Sequence, residues 1–137
     1  MERPMNKWSQ HSLEQLMTCD ARVRQVMNAI LPLVDIRILE GHRDEARQNL
    51  MADTGKSQLR WPHGAHNKSP SLGWDCITCP IDWADREQHI YVAGLIVATA
   101  AGMGVEVIWG GDWNRNFRVA PEPGDSWDDL CHFQIKE

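Results

Sequence analysis

The run IYVAGLIVATAAGMG from Ile90 to Gly104, with VEVIW from Val105 to Trp109 directly behind it, decides the fold. No charge falls between Ile90 and Val105, so the first question is whether the run crosses a membrane. It is too short. A spanning helix needs about 20 predominantly apolar residues, and this run meets Gly102 and Gly104 and then alternates like a strand. The pattern predicts a buried helix followed by a strand, with Asp82 as N-cap, a last turn near Met103 and Gly104 closing it. No membrane insertion is expected.

Outward from that centre, WDCITCPI (Trp74 to Ile81) reads as a strand as far as Pro80, and LCHFQI (Leu130 to Ile135) as a final strand. Toward the N-terminus, Leu13, Leu16, Met17, Val23, Val26, Met27, Ile30 and Leu31 recur at helical spacing. They predict one helix, N-capped by Ser12 with Gln15 three residues on, ending near Pro32. VDIRIL (Val34 to Leu39) alternates as a half-buried strand, and EGHRDEARQNLMAD after it has the charge of a mostly exposed helix. Two polar stretches, Thr54 to Gly73 and Gly110 to Trp127, predict long surface loops. This order of elements predicts an α+β fold: one domain over residues 1–137, with a small, mainly antiparallel sheet packed against helices.

The composition agrees with that size. The chain has 137 residues, 42% hydrophobic and 24% charged, enough for one core and too apolar for a disordered chain. Fourteen Lys and Arg against nineteen Asp and Glu leave a net charge of −5 with no basic block, which argues against nucleic acid as a partner. The N-terminus MERPMNKWSQHSLEQL lacks an apolar core, so synthesis in the cytoplasm without a signal peptide is expected. Cys19, Cys76, Cys79 and Cys131 are expected as reduced thiols. A monomer is the expected state.

Metal-capable side chains stand where the polar loops meet the strands. His66 and Asp75 flank the first loop, and His132 lies in the last strand behind Asp129. Two imidazoles and a carboxylate are a zinc ligand set that leaves a fourth position to water, the mark of a catalytic site. Zinc lowers the pKa of water from about 15.7 toward about 7. A second, non-ligating carboxylate then serves as general base and, later, general acid.

These residues resemble a family. HNKSPSLGWD (His66 to Asp75), the EGHRDEARQ segment, the WGGDW turn and the terminal D-x-x-H make most of the chain similar to the zinc peptidoglycan peptidases of the D-alanyl-D-alanine carboxypeptidase family. The likeness is greatest to their phage endolysin branch, the L-alanoyl-D-glutamate peptidases. The resemblance implies a hedgehog/D-Ala-D-Ala peptidase-like fold, with His66, Asp75 and His132 as ligands of Zn2+ and Asp129, rather than the adjacent Asp128, as the catalytic carboxylate. It also implies Arg43 as a stabiliser of the substrate carbonyl or oxyanion. The partner it implies is the stem peptide of bacterial peptidoglycan, cut in the cell wall during lysis. Two positions depart from the family pattern, Gly64 before the first histidine and Gln134 after the last; both bear on what orients the imidazoles.

A different reading assembles Cys76-x-x-Cys79 with Cys131 and His132 into a closed structural zinc site, making the chain a non-catalytic binding or tail-associated module. Positions i and i+3 of a strand point to opposite faces, which weighs against it. Among the tryptophans, Trp74, Trp83 and Trp109 are expected in the core, while Trp61 and Trp113 stay open between packing and substrate contact. His42 and His63 are expected in solvent, and His11 and His89 carry no functional assignment.

Overall fold

The structure, a computed structural model, describes residues 5–119 and 129–137. Asp128 and Trp127 lie outside the described residues. The elements run α1 (Gln10–Met17), α2 (Ala21–Ile30), β1 (Ile36–Glu40), α3 (Glu45–Asp53), a 3₁₀ turn (Ala65–Asn67), β2 (Gly73–Thr78), α4 (Arg86–Gly102), β3 (Val107–Trp109) and β4 (His132–Ile135). The four strands form one antiparallel sheet in the order β1-β2-β4-β3. The α+β expectation holds.

Side chains of a strand alternate between faces. Trp74, Cys76, Phe133 and Ile135 point to one face with Ile36, Ile38, Val107 and Trp109, and all are buried. Helices α2 and α4 cover that face. Helix α4 contributes His89, Val92, Ala93, Ile96 and Ala100, one stripe at helical spacing, which is why the uncharged run is a core helix. No helix among the described residues is long and apolar enough to cross a membrane. The opposite face of the sheet carries Asp75 and His132, which are directly paired across β2 and β4.

Four expectations need correction. The N-terminal helix is two helices, because Cys19 leaves the helical path to bridge Ser71 and Asp20 starts again as the N-cap of α2, its side chain accepting from Arg22 N. Apolar spacing continues through the break and so conceals it. Ser12 is not the cap; Ser9 is, and Ser12 is fully buried. Helix α4 is capped by Asp85, not Asp82. Trp83, expected in the core, is 64% exposed.

Ser12 shows how the sheet edge is closed. Strand β1 is an outer strand, and its outward N–H and C=O groups need partners. A polar stripe on α1 supplies them: His11 Nε2 donates to Leu39 O at 2.8 Å, while Ser12 Oγ accepts from Ile38 N at 3.0 Å. One and two turns on, Gln15 Oε1 accepts from Gly41 N at 3.0 Å and Thr18 Oγ1 from His42 N at 2.9 Å. Gly41 is required by this close approach, since a Cβ there would lie 2.6 Å from Gln15 O. Ser12→Ala keeps helix propensity and leaves Ile38 N unpaired in the interior. We expect a loss of about 1–3 kcal/mol in urea unfolding; an unchanged midpoint would show that the edge does not depend on this bond.

Candidate active site

Two local devices deliver the His66, Asp75 and His132 cluster. His66 sits in the 3₁₀ turn within the first long loop, where Arg43 N donates to His66 O at 2.8 Å and Asn67 Oδ1 accepts from Gly64 N at 2.9 Å. That loop was expected on the surface, yet His66, Asn67, Ser71 and Leu72 are buried. Asp75 and His132 come from the cross-strand pair. Asp129 is set by the WGGDW turn: Asp129 N donates to Gly110 O at 2.9 Å and Gly110 N to His132 O at 2.8 Å, and a Cβ on Gly110 would lie 3.0 Å from the Asp129 carbonyl carbon.

Both imidazoles are held in a defined tautomer. His66 Nδ1 donates to Gly41 O at 2.6 Å, so its Nε2 carries a lone pair. His132 Nε2 donates to Gln134 Oε1 at 2.8 Å, so its Nδ1 carries a lone pair. Gln134 therefore orients the His132 ring. These two nitrogens and Asp75 Oδ1 lie 3.2, 3.3 and 3.1 Å apart, and all three are acceptors. Ligand atoms about 2.0–2.1 Å from a tetrahedral cation stand about 3.3–3.4 Å apart. The donor set and its spacing fit such a cation.

The electrostatics follow from that crowding. Burial opposes ionisation of Asp75, but once the imidazoles take up a second proton the charges and hydrogen bonds of His66 and His132 outweigh it and hold its carboxyl well below the usual carboxylate range. Burial also opposes protonation of His132, yet the hydrogen bond and charge of Asp75 prevail and raise its pKa. Asp129 is pushed up, first by burial and then by the charge of Asp75. It opens into a cavity of about 420 Å³ lined also by Arg43, His66, His132 and Trp113. Trp113 stacks on the His132 ring, with centroids 5.3 Å apart and planes 29° from parallel.

Arg43 is buried and has three of its five N–H donors engaged. It donates through Nε to Glu40 Oε1 at 2.8 Å, through Nη2 to Asp75 Oδ2 at 3.1 Å and through Nη1 to Gln48 Oε1 at 3.4 Å. A bulge between Ile38 and Glu40 makes the first contact possible by pairing Glu40 with Asp75 and turning it to the site face.

Residues 5–135 match the family described as phage L-alanyl-D-glutamate peptidase. The chain belongs to this family. A crystal structure of the Serratia marcescens L-Ala D-Glu endopeptidase ChiX shares the fold, with a TM-score of 0.71 and 24% identity over 96% of this chain and 91% of that one. A comparison with curated proteins gave no match. As a member of the phage family the chain is a hydrolase, a peptidase acting on peptidoglycan.

The geometry places the other sequence-derived candidates around this phage-type peptidase site. Trp61 lies off the cavity, edge-on to half-buried His42 with centroids 6.4 Å apart, and His63 is exposed. Gln48, in a helix expected to be exposed, is a buried link that the sequence reading missed. Its Oε1 also accepts from Asn67 Nδ2 at 3.0 Å, and its Nε2 donates to Ser57 Oγ at 3.0 Å and Leu59 O at 2.6 Å. A polar residue on an amphipathic helix gives no local sign that it faces inward.

The Cys76, Cys79, Cys131 and His132 arrangement does not assemble. Cys76 points to the core face, opposite to His132, and Cys79 lies beside Arg37 and Asp35. Among the described residues, the group with ligand atoms within reach of one another is His66, Asp75 and His132. Burial pushes the Cys131 thiol up to about 12 and the Cys19 thiol up to about 11, so both stay protonated and poor as nucleophiles or ligands. In the native protein at pH 8, iodoacetamide is expected to label Cys19 and Cys131 at least 100-fold more slowly than in urea; fast native labelling of either would overturn this.

Proposed function

We propose that the chain hydrolyses the bond between L-alanine and D-glutamate in peptidoglycan stem peptides, as a zinc-dependent endolysin of a phage or prophage acting on the bacterial cell wall. The observation that carries the zinc reading is the meeting of three proton-free acceptors, His66 Nε2, Asp75 Oδ1 and His132 Nδ1, beside a carboxylate that ligates nothing. Two imidazoles and one carboxylate suit zinc. When bound, the ion supplies Lewis acidity that polarises the scissile carbonyl and makes water a better nucleophile at neutral pH.

The chain's own residues supply the remaining steps. Asp129 makes no ion pair among the described residues and stands open to the cavity, so it can accept a proton from the attacking water and return it to the amine of D-glutamate as the C–N bond breaks. Its raised pKa suits both halves of that task. Arg43 has five N–H donors, of which Glu40, Asp75 and Gln48 take three; the two left over can meet the carbonyl oxygen as negative charge develops. Trp113 shields one face of His132 from water. All these groups come from one chain, so a monomer suffices.

Three outcomes test this. Asp129→Asn should keep its zinc and lose about 10²–10⁴-fold in turnover on purified walls, whereas Cys76→Ser should keep both; loss of zinc from Cys76→Ser with none from His66→Ala would reverse the assignment. Gln134→Ala frees the His132 tautomer and should weaken zinc binding about 10- to 100-fold in competition with a chelator. Protons compete with the cation for His132, whose pKa is raised, so zinc affinity should fall as pH drops through that raised value and stay level above it; an affinity independent of pH would contradict the ligand set.

A further inference from the structure

We propose that Lys56 is the specificity residue that receives the free carboxylate of the glutamate on the leaving-group side of the cut; this rests on the L-alanine to D-glutamate reading above. A second cavity, of about 780 Å³, adjoins the first, and Lys56, Arg43 and Asp129 line both. Lys56 therefore stands where the two cavities meet, on a lining it shares with Asp129. Its place is fixed by the end of α3, where Lys56 N donates to Met51 O at 2.8 Å and Ser57 N to the same oxygen at 3.0 Å. Gln48 then ties Ser57 to Arg43, so the lysine backbone is registered against the site.

Charge distinguishes Lys56 from the other cations of these cavities. Arg43 is paired with Glu40 and Asp75, and Arg47 with Glu40 at 3.0 Å. Lys56 is exposed and forms no ion pair among the described residues. The substrate offers the matching anion by simple chemistry. Glutamate has two carboxyl groups, its amine is in the scissile bond, and only one carboxyl can carry the chain onward. The other is an anion a few bonds from the reacting nitrogen. Asp75, Asp129 and Glu40 would repel it, so it needs an uncommitted cation within reach of Asp129. A lysine on a flexible four-carbon stem meets that need without bidentate geometry.

The test uses two stem peptides, one with D-glutamate and one with that free carboxyl converted to the amide. On the acid peptide, Lys56→Gln should lose about tenfold in kcat/KM, mainly through KM, the scale of one charge-assisted contact. On the amide it should equal the wild type, and Lys56→Arg should keep most of the activity on both. Calorimetry with the zinc-loaded Asp129→Asn protein should show the same tenfold loss of binding for the acid peptide when Lys56→Gln is added, with thermal midpoint and zinc content unchanged. Equal effects of Lys56→Gln on the two peptides, or none on either, would overturn the role of Lys56 alone. A wild-type protein that cuts neither peptide but still digests walls would overturn the choice of bond, and this subsite with it.

Discussion

The pairing of Asp75 with His132 across two antiparallel strands is the constraint on which the rest depends. A slip of one residue in that ladder would send both side chains to the core face. The register is held by their neighbours: Trp74 and Phe133, one position away in each strand, stack with centroids 5.6 Å apart on the buried face. Aromatic pairs of this kind contribute about 0.5–1.5 kcal/mol beyond area burial, and a slip would also expose an indole that is fully buried. The hydrophobic core thus fixes where Asp75 and His132 point.

The third member of the cluster, His66, depends on the sheet edge. His66 is oriented by Gly41 O, and Gly41 is held by the polar stripe of α1 that closes β1. A chain of hydrogen bonds therefore runs from Gln15 of an N-terminal helix through Gly41 to the His66 imidazole in a distant loop. Loops so placed can be long and still precise, because their ends are anchored on backbone that has no other partner. The same economy appears on the other side of the cluster, where β4 provides His132 and Gln134, the residue that selects its tautomer.

Much of this was legible in the sequence for one reason: side chains able to hold a metal are residue types of restricted chemistry. His66, Asp75 and His132 could be named as candidates before any coordinate, and the fold brings them together; Asp129, named with them, lines the adjoining cavity. The helix from the uncharged run and the antiparallel character of the sheet were also readable, from apolar periodicity. What failed did so where periodicity is silent. The break between α1 and α2 falls at Thr18 to Asp20, where apolar spacing continues but Cys19 is drawn to Ser71, fifty-two positions away. Ser12 and Gln48 looked like surface residues because polar side chains are usually solvated; their burial is set by partners 26 and 19 positions distant. Trp83 reversed the same rule, a large apolar residue left outside.

Arg43 shows that a buried charge can be valued for position more than for stability. Taking a guanidinium and its carboxylates out of water costs about what their attraction returns, so a buried ion pair is weak evidence of stabilisation. Its value here is positional. By holding Asp75 Oδ2, Arg43 leaves Oδ1 directed at the two imidazoles, and by donating its backbone N–H to His66 O it fixes the turn that carries the first of them. Glu40 neutralises part of its charge and, through the bulge in β1, keeps the guanidinium plane in place. Lysine could supply the charge at this position but not the three separate directions, since an ammonium group has no planar fork. The arginine is thus explained by geometry before any contact with substrate is invoked.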